Sequence, residues 1–280
     1  MKAIEIKDKV SGSVLFTHEA NSIKSTVEEA VRSKTCLAGA DLAGADLADA
    51  DLSGANLVWA DLTQACLDWA SLSRANLFGA NLSEADLNWA RLGHAELTQG
   101  KLTKANLSRA NLTGACAFLA NLERADLTGA NLTGANLANS YLAGANLTDA
   151  ILVGANLAGA YLAGANLSGA YLERTNLAGA HLEGARLRNG EVLVGERPVV
   201  QISPFGPYVD IFTVYSTDKG LRFDFGGYQQ VSREEIEQYK SKNIDSLIST
   251  LKFKSVLKLI DAYAELWAPQ EERSSQALMR

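Results

Sequence analysis

The chain is 280 residues long, with 32 Asp and Glu against 26 Lys and Arg and a formal net charge of −6. That balance, with no basic stripe interleaved among aromatics, excludes direct nucleic-acid binding as the expected role. No run approaches the roughly 18 apolar residues of a membrane helix, and Cys36, Cys66 and Cys116, odd in number and without CxxC spacing, read as free thiols.

Residues 1–34 read as an end cap. AIEIK alternates in polarity, DKVSGS supplies a turn and VLFT completes a β-hairpin. A helix follows along NSIKSTVEEAVRSK, capped by Asn21 or Ser22, with Ile23, Val27, Ala30 and Val31 as its apolar stripe. The charges in MKAIEIKDK stand where a secretory signal needs an apolar run, so the expected compartment is the cytoplasm.

Residues 35–192 are periodic. From Leu37 to Leu187 there are 31 central positions spaced by five, 30 of them Leu and one Ala117. The residue two places before each is Ala from Ala40 to Ala185, except at Gly100, Ser140 and Thr175. A period of five fits neither a helix nor a strand, so the backbone must turn at every block. A short fixed period marks a repeat array in which each unit buries its apolar side chain against neighbours along one axis.

The pattern A(D/N)LxG, in blocks such as ADLAGADLADADLSGANL, resembles the pentapeptide-repeat family over more than half of the chain. The resemblance implies a mainly β fold, a right-handed quadrilateral parallel β-helix with one block per side and Leu and Ala inside. Four blocks to a coil make 31 blocks nearly eight coils. Gly39, Gly44, Gly54, Gly114, Gly129 and Gly154, two places after a Leu, would then take corners with positive φ.

After Val192 the period is lost. Residues 193–268 read as a small α+β domain with strands at Val199–Ser203, Val209–Ser216 and Leu221–Phe225, then a helix from Ser232 and another over Ile244–Trp267. Pro204–Tyr208 reads as an exposed loop, and the polar stretch 269–280 as a disordered tail. With the hairpin cap and unbroken repeats, VYSTDKGL resembles bacterial and phage-associated members of the family.

The sequence offers no catalytic constellation. His18, His94 and His181 are far apart, no GxxxxGK[ST] occurs, and Asp41, Asp46, Asp51, Asn56 and Asp61 occupy equivalent positions where Asp and Asn interchange. A catalytic carboxylate would not tolerate that exchange, so no enzyme activity, metal or cofactor is expected.

What remains is the outer surface. Under the resemblance, residues twenty apart stack on one side at roughly 4.8 Å, which pairs Trp69 with Trp89. Val58, Trp59, Phe78, Phe118 and Leu119 form a second apolar group on the opposite side. Tyr141, Tyr161 and His181 make a later ladder, with Ile151 and Tyr171 opposite it. These residues are the candidate interaction surface, for an unidentified protein partner, for a second copy in a homodimer, or for the chain's own terminal segments. The family also contains proteins that mimic duplex DNA and protect DNA gyrase from quinolones, and that resemblance implies gyrase as the alternative partner. Residues 35–190 carry fourteen acids against nine bases, and the six acids up to Asp68 are expected to face no base at all.

Overall fold

The computed structural model describes residues 1–195, 199–202, 212–225 and 228–232, with residues 234 and 258 besides. Strand β1 (Lys2–Lys7) pairs antiparallel with β2 (Val14–Ala20), as the alternation of AIEIK and VLFT requires. Helix α1 (Ile23–Arg32) follows, with Ser22 as its N-cap accepting from the Ser25 N–H, and its stripe residues Val27 and Ala30 are buried.

The repeats form the expected β-helix, right-handed and four-sided. Parallel bridges join positions twenty apart, from Asp41 with Asp61 through Asn166 with Arg186. Three hydrogen bonds per block stitch each coil to the next: the Leu37 N–H donates to Asn56 O at 3.0 Å, the Gly39 N–H to Val58 O at 2.8 Å, and the Asp61 N–H to Ala40 O at 2.8 Å. With no helix or long strand to satisfy the backbone, this ladder does so together with bonds inside each block. The central leucines and small alanines fill one continuous core along the axis.

Asp and Asn interchange because their shared atom carries the role. The Oδ1 of the residue before Leu accepts the N–H two places on, as Asp126 does from Thr128 and Asn131 from Thr133, both at 3.0 Å. Asn adds a donor along the axis: Asn106 Nδ2 reaches Asp86 Oδ1 at 2.8 Å, and Asn176 Nδ2 reaches Asn156 Oδ1 at 3.0 Å.

Each block turns through a bond such as Ala40 N–H to Leu37 O at 3.0 Å, with only the third turn residue at positive φ, which is a type II turn. The expected glycines do occupy these corners. Of the thirty corners from Gly39 to Gly184, however, fourteen are Gly and sixteen are not.

Both ends of the solenoid are closed by bonding to the chain's other segments. The first coil has no predecessor to accept its N–H groups, so Lys7 O accepts from Asp41 N at 2.7 Å and Glu28 Oε1 from Asp51 N at 3.1 Å. Lys24 Nζ donates to Ala48 O at 2.6 Å, and Lys9 lies 3.5 Å from Asp61. The expectation that the early acids meet no base therefore fails at Asp61, because the hairpin turn folds back over the coil.

At the other end the chain reverses at a short 3-10 turn, Arg188–Gly190, and Val192 pairs antiparallel with Arg186. A four-stranded antiparallel sheet follows, in the order β3 (Val199–Ile202), β4 (Phe212–Thr217), β5 (Gly220–Phe225), β6 (Tyr228–Val231). Strand β6 has no counterpart in the sequence expectations. The sheet is bonded to the last coil: Gln201 accepts from Leu177 N at 2.7 Å and donates to Thr175 O at 2.7 Å, and Arg222 pairs with largely buried Glu191 at 2.6 Å. The expected helices beyond Ser232, the Pro204–Tyr208 loop and the 269–280 tail lie outside the described residues.

Candidate interaction surface

Trp59, Trp69, Trp89 and Leu119 all stand at corners, with φ of 57 to 60°. Left-handed backbone costs a non-glycine residue about 1 to 2 kcal/mol, and glycine meets the same corner demand elsewhere without that cost. Neither backbone geometry nor the core calls for indoles here. They are also exposed, Trp59 by 51%, Trp69 by 54% and Trp89 by 40%.

Trp69 and Trp89 stack with ring centroids 5.0 Å apart and planes 9° from parallel. The guanidinium of Arg109, one coil further, covers the other face of Trp89 at 5.3 Å from the centroid. Beside this stack lies a carboxyl cluster that sequence reasoning did not single out. Residues eighteen apart touch across coils, as in Thr63–Asn81 at 2.6 Å, Ser53–Ser71 at 2.7 Å and Thr128–Asn146 at 2.8 Å. In each of those pairs one partner can donate a proton. Asp68 and Asp86 are also eighteen apart, and two ionised carboxylates cannot bond to each other.

Burial and then the Asp86 carboxylate push the Asp68 carboxyl above the usual aspartate range, with Asp49 adding to the effect and the Asn88 N–H opposing it. Oδ1 of Asp68 is buried without a hydrogen-bond partner.

The second expected group divides. Trp59 meets Phe78 edge-to-face at 5.4 Å and lies across Gly79, where a Cβ would collide with its ring. Phe118 and Leu119 are half-buried two coils beyond Phe78, with Thr98 and Gln99 between them. Tyr141, Tyr161 and His181 stack at 5.0 and 4.8 Å, and Tyr141, Tyr161 and Tyr171 are 40%, 42% and 50% exposed. The described contacts of the C-terminal sheet are with the end coil, and the tyrosines stay open beside it. Among the described residues no three His, Cys, Asp or Glu side chains gather as a metal would require, and no helix is long and apolar enough to cross a membrane.

A family model for pentapeptide repeats, in eight copies, matches residues 33–68, 56–93, 90–117, 120–157 and 155–189, more than half of the chain. Among solved structures the chain is similar to HetL, a pentapeptide repeat protein involved in heterocyst differentiation regulation in the cyanobacterium Nostoc sp. strain PCC 7120. The two are 35% identical over 57% of this chain and 81% of that one, with a TM-score of 0.42. The pentapeptide repeat protein alr5209 of Nostoc is 40% identical over 30% of this chain and 71% of its own, with a TM-score of 0.30. Full-length QnrB1, a plasmid-mediated fluoroquinolone resistance protein, is 19% identical over 53% and 80%, with a TM-score of 0.22. No curated protein matches. Residues 33–117 and 120–189 carry the repeat throughout, and the chain belongs to the pentapeptide repeat family.

Proposed function

We propose that this protein is a non-catalytic scaffold that presents its solenoid corners to other protein chains in the cytoplasm. The observation that carries this is the placing of exposed Trp59, Trp69 and Trp89 at corners where fourteen equivalents are glycine. Indoles that cost backbone strain and leave half their surface in water are better accounted for by a contact they make than by the fold that bears them. Self-association is the simplest form of that contact, since a copy of the same surface would cover the stack.

Light scattering on the full chain and on the double variant Trp69→Gly, Trp89→Gly tests it. A dimer that becomes a monomer, or a partner lost from crosslinked extracts, supports the role of this corner. Unchanged association and unchanged partners would remove it.

Gyrase mimicry has less behind it. The acids of the early coils favour it, yet Lys9 neutralises Asp61 and Lys104 pairs with Glu84 at 3.3 Å, so the field is broken along the axis. A gyrase supercoiling assay with and without ciprofloxacin decides this alternative.

A further inference from the structure

The two faces of the indole stack are not equivalent. Trp89 is enclosed between Trp69 and the Arg109 guanidinium, whereas among the described residues no ring or cation stacks on the outer face of Trp69. The difference shows in exposure, 40% against 54%. That free face turns toward the coil bearing Asp46 and Asp49, and Asp49 has no side-chain hydrogen bond or ion pair among the described residues. No base occurs in the repeats between Leu37 and Ser73; of the two lysines brought there from the cap, Lys9 is paired with Asp61, and Lys24, bonded to the neutral Ala48 O, is one ammonium against the carboxylates of Asp41, Asp46, Asp49 and Asp51.

We propose that the outer face of Trp69, with the carboxylates of Asp49 and Asp46 beside it, receives an arginine side chain from a basic segment of a partner protein. The protein already makes this contact once within itself. Arg109 lies on the far end of the stack, and a partner's arginine would occupy the mirror position, giving guanidinium, Trp69, Trp89, guanidinium in sequence. A planar guanidinium suits the site better than an ammonium, because it stacks on the indole while its N–H edge meets a carboxylate. Asp68 is not offered as a direct ligand, because its Oδ1 is buried. Local negative potential over the early coils favours the approach of a basic segment and makes its binding salt-sensitive.

The inference rests on the corner being an interaction surface, and the two can fail separately. The probe is a peptide of alternating glycine and arginine, titrated into the full chain by calorimetry and tryptophan fluorescence, with lysine and citrulline versions alongside. The arginine peptide is expected to bind, to weaken as salt rises, and to exceed both other peptides. Trp69→Gly, which suits the corner backbone and is checked for folding by circular dichroism, should weaken binding roughly tenfold, and Asp49→Asn a few-fold. Trp59→Gly, on the opposite corner, should leave it unchanged.

Equal binding of the citrulline peptide, no loss with Trp69→Gly, or no binding at all would overturn the inference. If the double Gly variant loses its partner while the arginine peptide never binds, the surface stands and its chemistry is not this one.

Discussion

Trp69 and Trp89 lie face to face with centroids 5.0 Å apart although each leaves the backbone from a corner in left-handed conformation, at φ 60° and 57°. Strain and stacking oppose each other at the same two residues. Replacing Trp69 by Gly relieves about 1 to 2 kcal/mol of backbone cost and forfeits about 0.5 to 1.5 kcal/mol of ring contact. Chemical denaturation should therefore place Trp69→Gly within about 1 kcal/mol of the parent. Leu67→Ala, two residues earlier and fully buried, should cost about 2 to 5 kcal/mol. A comparable loss in both would show that the indole is structural.

Ala117 holds the position that Leu fills in thirty other blocks, yet its backbone keeps the ladder, with its N–H on Asn136 O at 2.7 Å. Leu97 and Leu137, in the coils on either side, are buried in the same register. Ala117→Leu should fit the rotamer of its neighbours and raise stability by about 1 to 2 kcal/mol, read as a higher urea midpoint at an unchanged slope. A lower midpoint would mean that the surrounding coils have closed over the smaller side chain.

The carboxyls give stability contributions of opposite sign with pH. Asp68 is raised in the folded state by burial and Asp86, so the folded chain keeps a proton that the unfolded chain has released. Its contribution is complete in acid and is lost as pH rises from the ordinary aspartate range through the raised value. At Asp61 burial acts upward, but the Thr63 hydroxyl and N–H and Lys9 prevail and lower it, so that contribution is lost as pH falls through the depressed value. Asp68→Asn, which can donate to Asp86 permanently, should gain stability over the parent as pH rises toward neutrality. Thermal melts across that range check it, and a gain that shrinks with rising pH would contradict the upward shift of the Asp68 carboxyl.

Arg222 and Glu191 fasten the C-terminal sheet to the end of the solenoid, both largely buried. Arg222→Ala leaves a buried carboxylate unpaired, at a cost of about 3 to 5 kcal/mol to the junction. Hydrogen exchange should quicken at Val192 and Val194, whose N–H groups bond to Asp218 and Ser216, while the central coils stay protected. Uniform quickening along the repeats would show that the junction is not a separate unit of opening.

Much of the fold was legible because one residue type repeats at one spacing. Leu every fifth place requires a turn at every block, the family resemblance implied the four-sided coil, and Ser22 and the Val27–Ala30 stripe follow ordinary capping and helix rules. The corners were read only in part. Glycine marks a positive φ, whereas Trp59, Trp69 and Trp89 adopt the same conformation because the ladder on both sides holds them there, and no local preference announces that. The Asp68–Asp86 pair and the stacking of Arg109 on Trp89 depend on spacings of eighteen and twenty, visible once the coil length is known. Strand β6 carries little apolar alternation in YQQV, so it depends on β5 rather than on its own pattern.

The twenty-residue register also sets how such a chain can change in length. Removing one block of five would rotate every later side chain by a quarter turn, parting Trp69 from Trp89 if the cut fell between them and bringing unrelated corners into line. Removing four blocks would shorten the rod by one layer and leave each remaining stripe in place. Insertions and deletions within this solenoid are therefore quantised: twenty residues change its length, and any smaller multiple of five rewrites its surface.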